Sequence, residues 1–215
     1  MTGPGLHYST YRVGDRDEWM MRIGSGPALL FLPPLLEEMN RTRALLAAVM
    51  RRLAADGFGC WLPDLPGTGE SERPLEEIAW DDWRAAAQSA LAASGAVAAV
   101  GLRGGALLDE PAALRWRMAP ASGASLARDL SRAGLMTEGG GGYSPSAGLV
   151  AALASAEPAA GATARTVRLA TDRADADLKL DGPPLWRRAE PQTSPELASA
   201  MASDISTWVR SCGAC

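Results

Sequence analysis

The stretch A-V-A-A-V-G-L-R-G-G, Ala96 to Gly105, decides the fold. Residues 96–100 form a short, continuous apolar run, the pattern of a parallel strand buried on both faces. Gly101, Gly104 and Gly105 frame a sharp turn with Arg103 at its centre. Small residues are needed where a strand and the next element come close, and the residue at the bend is held in a strained conformation. A strand, then G-x-R-x-G, then a helix expected from Ala106, is the local plan of a nucleophile elbow, G-x-S-x-G. The departure is chemical. A guanidinium stays protonated and has no lone pair with which to attack a carbonyl.

The pattern on either side is that of an α/β protein. Residues 18–23 and 28–32 read as strands, separated by Gly24-Ser25-Gly26-Pro27, whose glycines and proline suit a turn. The spacing of Leu45, Leu46, Val49, Met50 and Leu53 predicts a helix over 40–56, stopped by Gly57. A strand over 58–62 leads into Pro63-Asp64-Leu65-Pro66-Gly67-Thr68-Gly69-Glu70-Ser71, too rich in breakers for regular structure. A second amphipathic helix over 80–94 ends at Gly95, before the central strand. This β-α-β-α-β order implies a parallel sheet with right-handed crossovers.

Beyond the elbow, a strand is expected at 114–118, a helix at 125–133, a strand at 166–170 and a helix at 195–209, with 182–188 as an edge strand. Gly139 to Gly142 mark residues 134–161 as a flexible glycine-rich insertion, since four glycines lose much entropy on ordering. The remaining freedom to cover the strand ends is small, so a minimal or absent cap and a shallow crevice are expected. At 215 residues the chain fits one domain, 1–215.

Composition excludes several classes of function. The net charge of -4 gives no footprint for a phosphate backbone, so no nucleic-acid partner is expected. Arg41, Arg43, Arg51 and Arg52 cluster beside Glu37 and Glu38 and read as a solvated helix face. No apolar run approaches the roughly 20 residues that span a bilayer. The first residues lack the features of a secretory signal, and a cytoplasmic location is expected. Cys212 and Cys215 form one C-G-A-C, half of a tetrahedral zinc site, and Cys60 reads as a buried strand residue. No metal or cofactor is expected.

Residues 32–108 resemble a known family in L-P-P-L-L-E-E-M-N-R-T-R, L-P-D-L-P-G-T-G-E-S, W-D-D-W-R and G-L-R-G-G-A-L-L. These segments, with the later W-R-M-A-P-A-S-G-A and G-P-P-L-W, are similar to the second type of exosortase A system-associated hydrolase. The resemblance implies an α/β-hydrolase fold, an acyl-hydrolase label, and a setting among bacterial exopolysaccharide and exosortase protein-sorting systems. It also implies that arginine at position 103 is a subgroup feature.

The other members of a Ser-His-Asp triad can be sought by position. Asp172 or Asp175 follows the strand expected at 166–170, where the acid stands in this fold, and Glu190 stands where the base belongs. The single histidine, His7, precedes the strand expected at 18–23 and lies at the wrong end of the chain for the usual order. Ser71 and Ser122 have no histidine to activate them, Asp64 reads as a turn residue, and Trp80 and Trp83 read as packing.

The loop after Leu32 brings Leu35, Leu36, Glu37 and Glu38 towards Leu102, Arg103 and Gly104, and these residues outline the candidate ligand crevice. Two carboxylates there oppose an oxyanion but suit a guanidinium, so Glu37 or Glu38 is the expected partner of Arg103. The alternative is that both glutamates sit in the first turn of the following helix, favoured by its dipole.

Three functional readings follow. The first is a non-catalytic binding or accessory component, taking a small molecule or protein of an exopolysaccharide or sorting system. The second is an ester or thioester hydrolase with a non-standard site, in which a carboxylate such as Glu38 activates water. The third is a scaffold that forms a homodimer through a sheet edge.

Overall fold

The computed structural model describes residues 5–132, 144–161 and 163–213. Eight strands form one sheet: β1 (Leu6–Val13), β2 (Arg16–Ile23), β3 (Ala28–Leu32), β4 (Gly59–Pro63), β5 (Ala98–Leu102), β6 (Arg115–Met118), β7 (Ala164–Leu169) and β8 (Leu178–Leu180). Their order is β1-β2-β4-β3-β5-β6-β7-β8. β1 pairs with β2, and β2 with β4, in antiparallel fashion. Every pairing from β4 to β8 is parallel. The sheet is therefore mostly parallel and flanked by helices, as the alternation of elements requires.

Among the described residues, five helices cover the two faces: α1 (Glu37–Ala55), α2 (Trp80–Ser94), α3 (Gly123–Arg132), α4 (Ala147–Ser155) and α5 (Pro195–Ser211). One core holds Leu45, Val49 and Leu53 of α1 and Met201 and Ile205 of α5 against Phe31, Val100 and Trp116 of the sheet. The other holds Trp83 and Ala87 of α2, Leu126 of α3 and Leu153 of α4 against Leu30, Leu32 and Ala99. Alternate residues of β3 and β5 thus serve opposite faces, which is why both strands read as unbroken apolar runs. Every residue of β5 is buried.

Several elements differ from expectation, each for a local reason. β1 is not foreseen because only Tyr11 and Val13 of its eight residues are buried. Val13 pairs with Arg16 across the two-residue turn Gly14-Asp15, and Gly14 takes φ 61°. His7 therefore lies within the first strand, exposed, instead of ahead of it. No strand forms at 182–188. Pro183 and Pro184 cannot donate to a ladder, so the segment makes a 3-10 turn at Leu185–Arg187 and the edge strand is β8.

The helix expected from Ala106 is replaced by a 3-10 turn over Arg103–Leu107. Pro111 blocks a longer helix. Asp109 is drawn instead into a buried pair with Arg117 of β6, at 2.6 and 2.7 Å. The insertion expected at 134–161 carries α4, while its four-glycine run lies outside the described residues.

The glycines beside Arg103 are required by contact. A Cβ on Gly105 would lie 2.0 Å from the Leu32 carbonyl oxygen, and one on Gly101 would lie 2.9 Å from the Ala106 nitrogen. Gly95, the left-handed cap of α2 at φ 59°, has open space around its missing Cβ. Gly105→Ala should therefore cost about 3 kcal/mol or more, because backbone must move. Gly95→Ala should cost about 1 to 2 kcal/mol, from conformation alone. Urea denaturation of the two variants measures the difference, and equal losses would contradict the close approach.

Cys60 of β4 is fully buried, and burial pushes its thiol up to about 12. Iodoacetamide at neutral pH should label Cys212, which is exposed, and leave Cys60 unmodified until the protein is unfolded. Peptide mass spectrometry reads the two sites separately.

Candidate functional site

Among the described residues, three other than glycine have positive φ: Leu36 at 55°, Arg103 at 54° and Ala119 at 47°. They follow β3, β5 and β6, which are hydrogen-bonded neighbours in the sheet. Left-handed backbone is unfavourable for a residue with a Cβ, and such strain clusters where a fold holds functional groups. The carboxyl ends of the central parallel strands are also where ligands bind in open α/β sheets.

Arg103 occupies the bend. Its Nε lies 3.3 and 3.2 Å from the two carboxylate oxygens of Glu38, and its Nη2 lies 3.0 Å from Oε1. Nη1 donates to the Ala119 carbonyl at 3.5 Å, so two of the strained residues are joined directly. Asp129 of α3 lies 3.6 Å from Nη2, and the guanidinium carbon sits 5.3 Å from the centre of the Trp186 ring. The side chains of Arg103 and Glu38 are 8% and 13% exposed. Burial pushes the Glu38 carboxyl above the usual carboxylate range, against the lowering pull of the Arg103 charge and hydrogen bonds. A planar fork that meets both oxygens holds the pair in register.

Helix α1 begins three residues earlier than its apolar spacing indicates, so Glu37 and Glu38 both lie in its first turn. The two sequence-based readings of these glutamates are therefore compatible. Glu37 does not reach Arg103; it pairs with Arg41 at 3.4 Å. Arg41, expected on a solvated face, is partly buried and donates to the Trp186 carbonyl at 3.3 Å.

A crevice of about 410 Å³ opens beside this cluster. Leu35, Leu126, Leu130, Leu153 and Trp186 give it apolar walls, and Glu38, Asp129, Arg132 and Arg187 give it polar ones. Leu36, Leu102, Arg103 and Gly104, expected to line it, do not; the Arg103 side chain, 8% exposed, lies beside the crevice without lining it. Leu36 and Leu102 are buried in the two cores, and Gly104 is covered by Leu35 and Leu126. Cover over the strand ends is confined, among the described residues, to α3 and α4.

The remaining triad positions hold no base for the elbow. Asp172 accepts from Arg168 at 2.8 Å and from the Ala174 N–H at 3.0 Å, and the Ala174 hydrogen bond keeps its carboxyl below the usual range. Asp175 and Glu190 are exposed. Ser71 accepts from the N–H groups of Gly67 and Arg73, and Ser122 accepts from the Ser125 N–H at the start of α3. Asp64 accepts from the Glu70 N–H, and Trp83 donates to the Pro66 carbonyl. Asp129 and Arg187 carried no sequence signal of a site, and Trp186 only its place in the G-P-P-L-W segment.

Sheet order, the strained residue after β5 and the loop after β3 define an α/β-hydrolase fold. No family model matches the chain, and no curated protein does. The resemblance to exosortase-associated hydrolases therefore rests on the residues quoted for it. Among solved structures, an epoxide hydrolase from Vigna radiata is 19% identical over 53% of this chain and 40% of its own length, with a TM-score of 0.43. A laboratory-evolved potato epoxide hydrolase gives 20%, 53%, 40% and 0.43. The match thus spans well under half the length of those enzymes, and the fold assignment stands on the topology itself.

Arg103→Ala and Glu38→Ala should each cost about 3 to 5 kcal/mol, since each leaves a buried charge without its partner. The double variant should lose less than the sum, because the second deletion removes the group that the first left unpaired. Urea denaturation of the four proteins completes the cycle; additive losses would mean that the pair does not couple.

Proposed function

We propose that the protein uses the α/β-hydrolase fold to bind a ligand and does not hydrolyse it by Ser-His-Asp chemistry. The observation that carries this reading is the state of the elbow. The nucleophile's position holds an arginine whose side chain is 8% exposed and held by Glu38. His7, the single histidine of the sequence, is exposed on β1.

The active alternative gives Glu38 the role of a base acting on water. Burial raises the Glu38 carboxyl, the direction that suits a base, but both of its oxygens are already engaged by Arg103, which stabilises the charged form. A carboxylate beside the elbow also opposes the negative charge that develops on a carbonyl oxygen during acyl transfer. Both points favour binding over turnover. The resemblance to exosortase-associated hydrolases supports a role as an accessory component of bacterial exopolysaccharide or protein-sorting systems, with a small molecule or protein of that system as its ligand.

The purified protein should not react with a fluorophosphonate probe and should not hydrolyse p-nitrophenyl esters of any acyl length. Arg103→Ser should be equally silent, because a serine at a good elbow still needs a base, and loss of a triad member costs several orders of magnitude in rate. Saturable ester turnover that co-purifies with the protein and is lost in Glu38→Gln would overturn the binding reading in favour of a carboxylate base.

A further inference from the structure

We infer that the crevice beside Arg103 takes an amphipathic carboxylate, an unbranched acyl anion whose chain lies on the leucine wall and whose head meets Arg187. This rests on the binding role proposed above and adds the chemical class of the ligand. The argument begins with a charge count. The three carboxylates at the crevice each have an arginine: Glu37 has Arg41, Glu38 has Arg103, and Asp129 has Arg103 at 3.6 Å and Arg132 at 3.7 Å. Four arginines therefore stand against three carboxylates. The fourth cation is Arg187, whose side chain is exposed at the crevice and makes no ion pair among the described residues.

Next to it, Trp186 lines the same crevice, and its indole N–H is buried without an acceptor among the described residues. Arg187 thus offers an unpaired cation at the crevice surface among the described residues, while the Trp186 N–H is closed off from solvent and out of a ligand's reach. Leu35, Leu126, Leu130 and Leu153 form an apolar wall of the crevice, bordered by Asp129 and Arg132 of α3. A ligand that satisfies Arg187 must bring oxygen lone pairs, and one that satisfies the apolar wall must bring methylenes. A cationic amphiphile would fit the leucines and be repelled by Arg187; a compact anion such as acetate would fit Arg187 and leave the leucines wet. The volume of about 410 Å³ lies within the roughly 300 to 1,000 Å³ of small-ligand sites.

Isothermal titration of the whole chain with octanoate, decanoate, decanol and decyltrimethylammonium tests the assignment. Octanoate to decanoate should tighten binding by about two- to fourfold per methylene, the effect of burying part or all of each CH₂. Decanoate should bind roughly tenfold better than decanol, the increment of one charge-assisted hydrogen bond. Arg187→Gln should remove most of that advantage, leave decanol binding unchanged and leave the melting temperature within about a degree, because the side chain is exposed. Raising salt should shrink the decanoate advantage, since the ion pair is open to solvent.

Equal binding of decanoate and decanol, or preference for decyltrimethylammonium, would overturn the inference. An Arg187→Gln protein that binds decanoate as well as the parent would overturn it too. Hydrolysis of p-nitrophenyl decanoate would instead overturn the non-catalytic reading. The acyl-anion assignment would then be supported if decanoate inhibits that hydrolysis and fails to inhibit it in Arg187→Gln.

Discussion

A buried guanidinium at the bend after β5 is the constraint on which the rest of the site depends. Removing a charge from water costs several kcal/mol unless its donors are met with good geometry. Arg103 is met from four directions: Glu38 in the first turn of α1, the Ala119 carbonyl after β6, Asp129 on α3, and the face of Trp186. Each comes from a different segment. The position of one side chain therefore ties the helix after β3, the turn after β6, the first covering helix and the turn after β8 to a common point, and the crevice is the space that those four leave between them.

The backbone around that point is strained in a way that the side chains justify. Left-handed residues after three adjacent strands lift the chain sharply away from the sheet and turn their side chains inward. Gly101, Gly104 and Gly105 let the turn after β5 press against the Leu32 carbonyl and the Leu35 side chain. A serine nucleophile gains exposure from such a bend. Here the same geometry aims a long cation at a carboxylate one strand away. The bend survives although the helix that usually supports it is cut to a 3-10 turn, because the Asp109–Arg117 pair and β6 anchor the far side of the turn.

What the sequence revealed follows from which signals are local. The apolar runs of β3 and β5, the spacing of α2 and the glycine frame of the elbow each contain their own cause, and these elements were legible. The approach of Glu37 or Glu38 to Arg103 was legible because the topology of a parallel sheet places those two loops together. The choice between them was not. It depends on α1 starting at Glu37, which points the next residue at the elbow and leaves Glu37 beside Arg41. β1 escaped notice because six of its eight residues are exposed, so the buried alternation that marks a half-covered strand is missing from most of its length. Leu36, Leu102 and Gly104 were assigned to the crevice from their place in the chain, whereas burial depends on which face of the sheet each side chain meets. Asp129, Trp186 and Arg187 converge from segments 57 and 58 residues apart, from Asp129 to Trp186 and from Asp129 to Arg187, and no local pattern reports such a meeting.

The electrostatics of the elbow are what support the proposed reading of recognition over bond breaking. An acyl-transfer site needs an electron pair at the elbow and a positive field where the carbonyl oxygen will develop charge. In this protein the elbow supplies a cation whose field is cancelled within 4 Å by Glu38 and Asp129, so neither requirement is met at that spot. The cation without an ion pair among the described residues is instead Arg187, on the turn that follows β8 and in the lining of the crevice. The positive end of the site has in effect been moved from the reacting centre to the wall. On the reading proposed above, an anion attracted there would lie beside leucines, with the carboxylates of the crevice already paired to arginines.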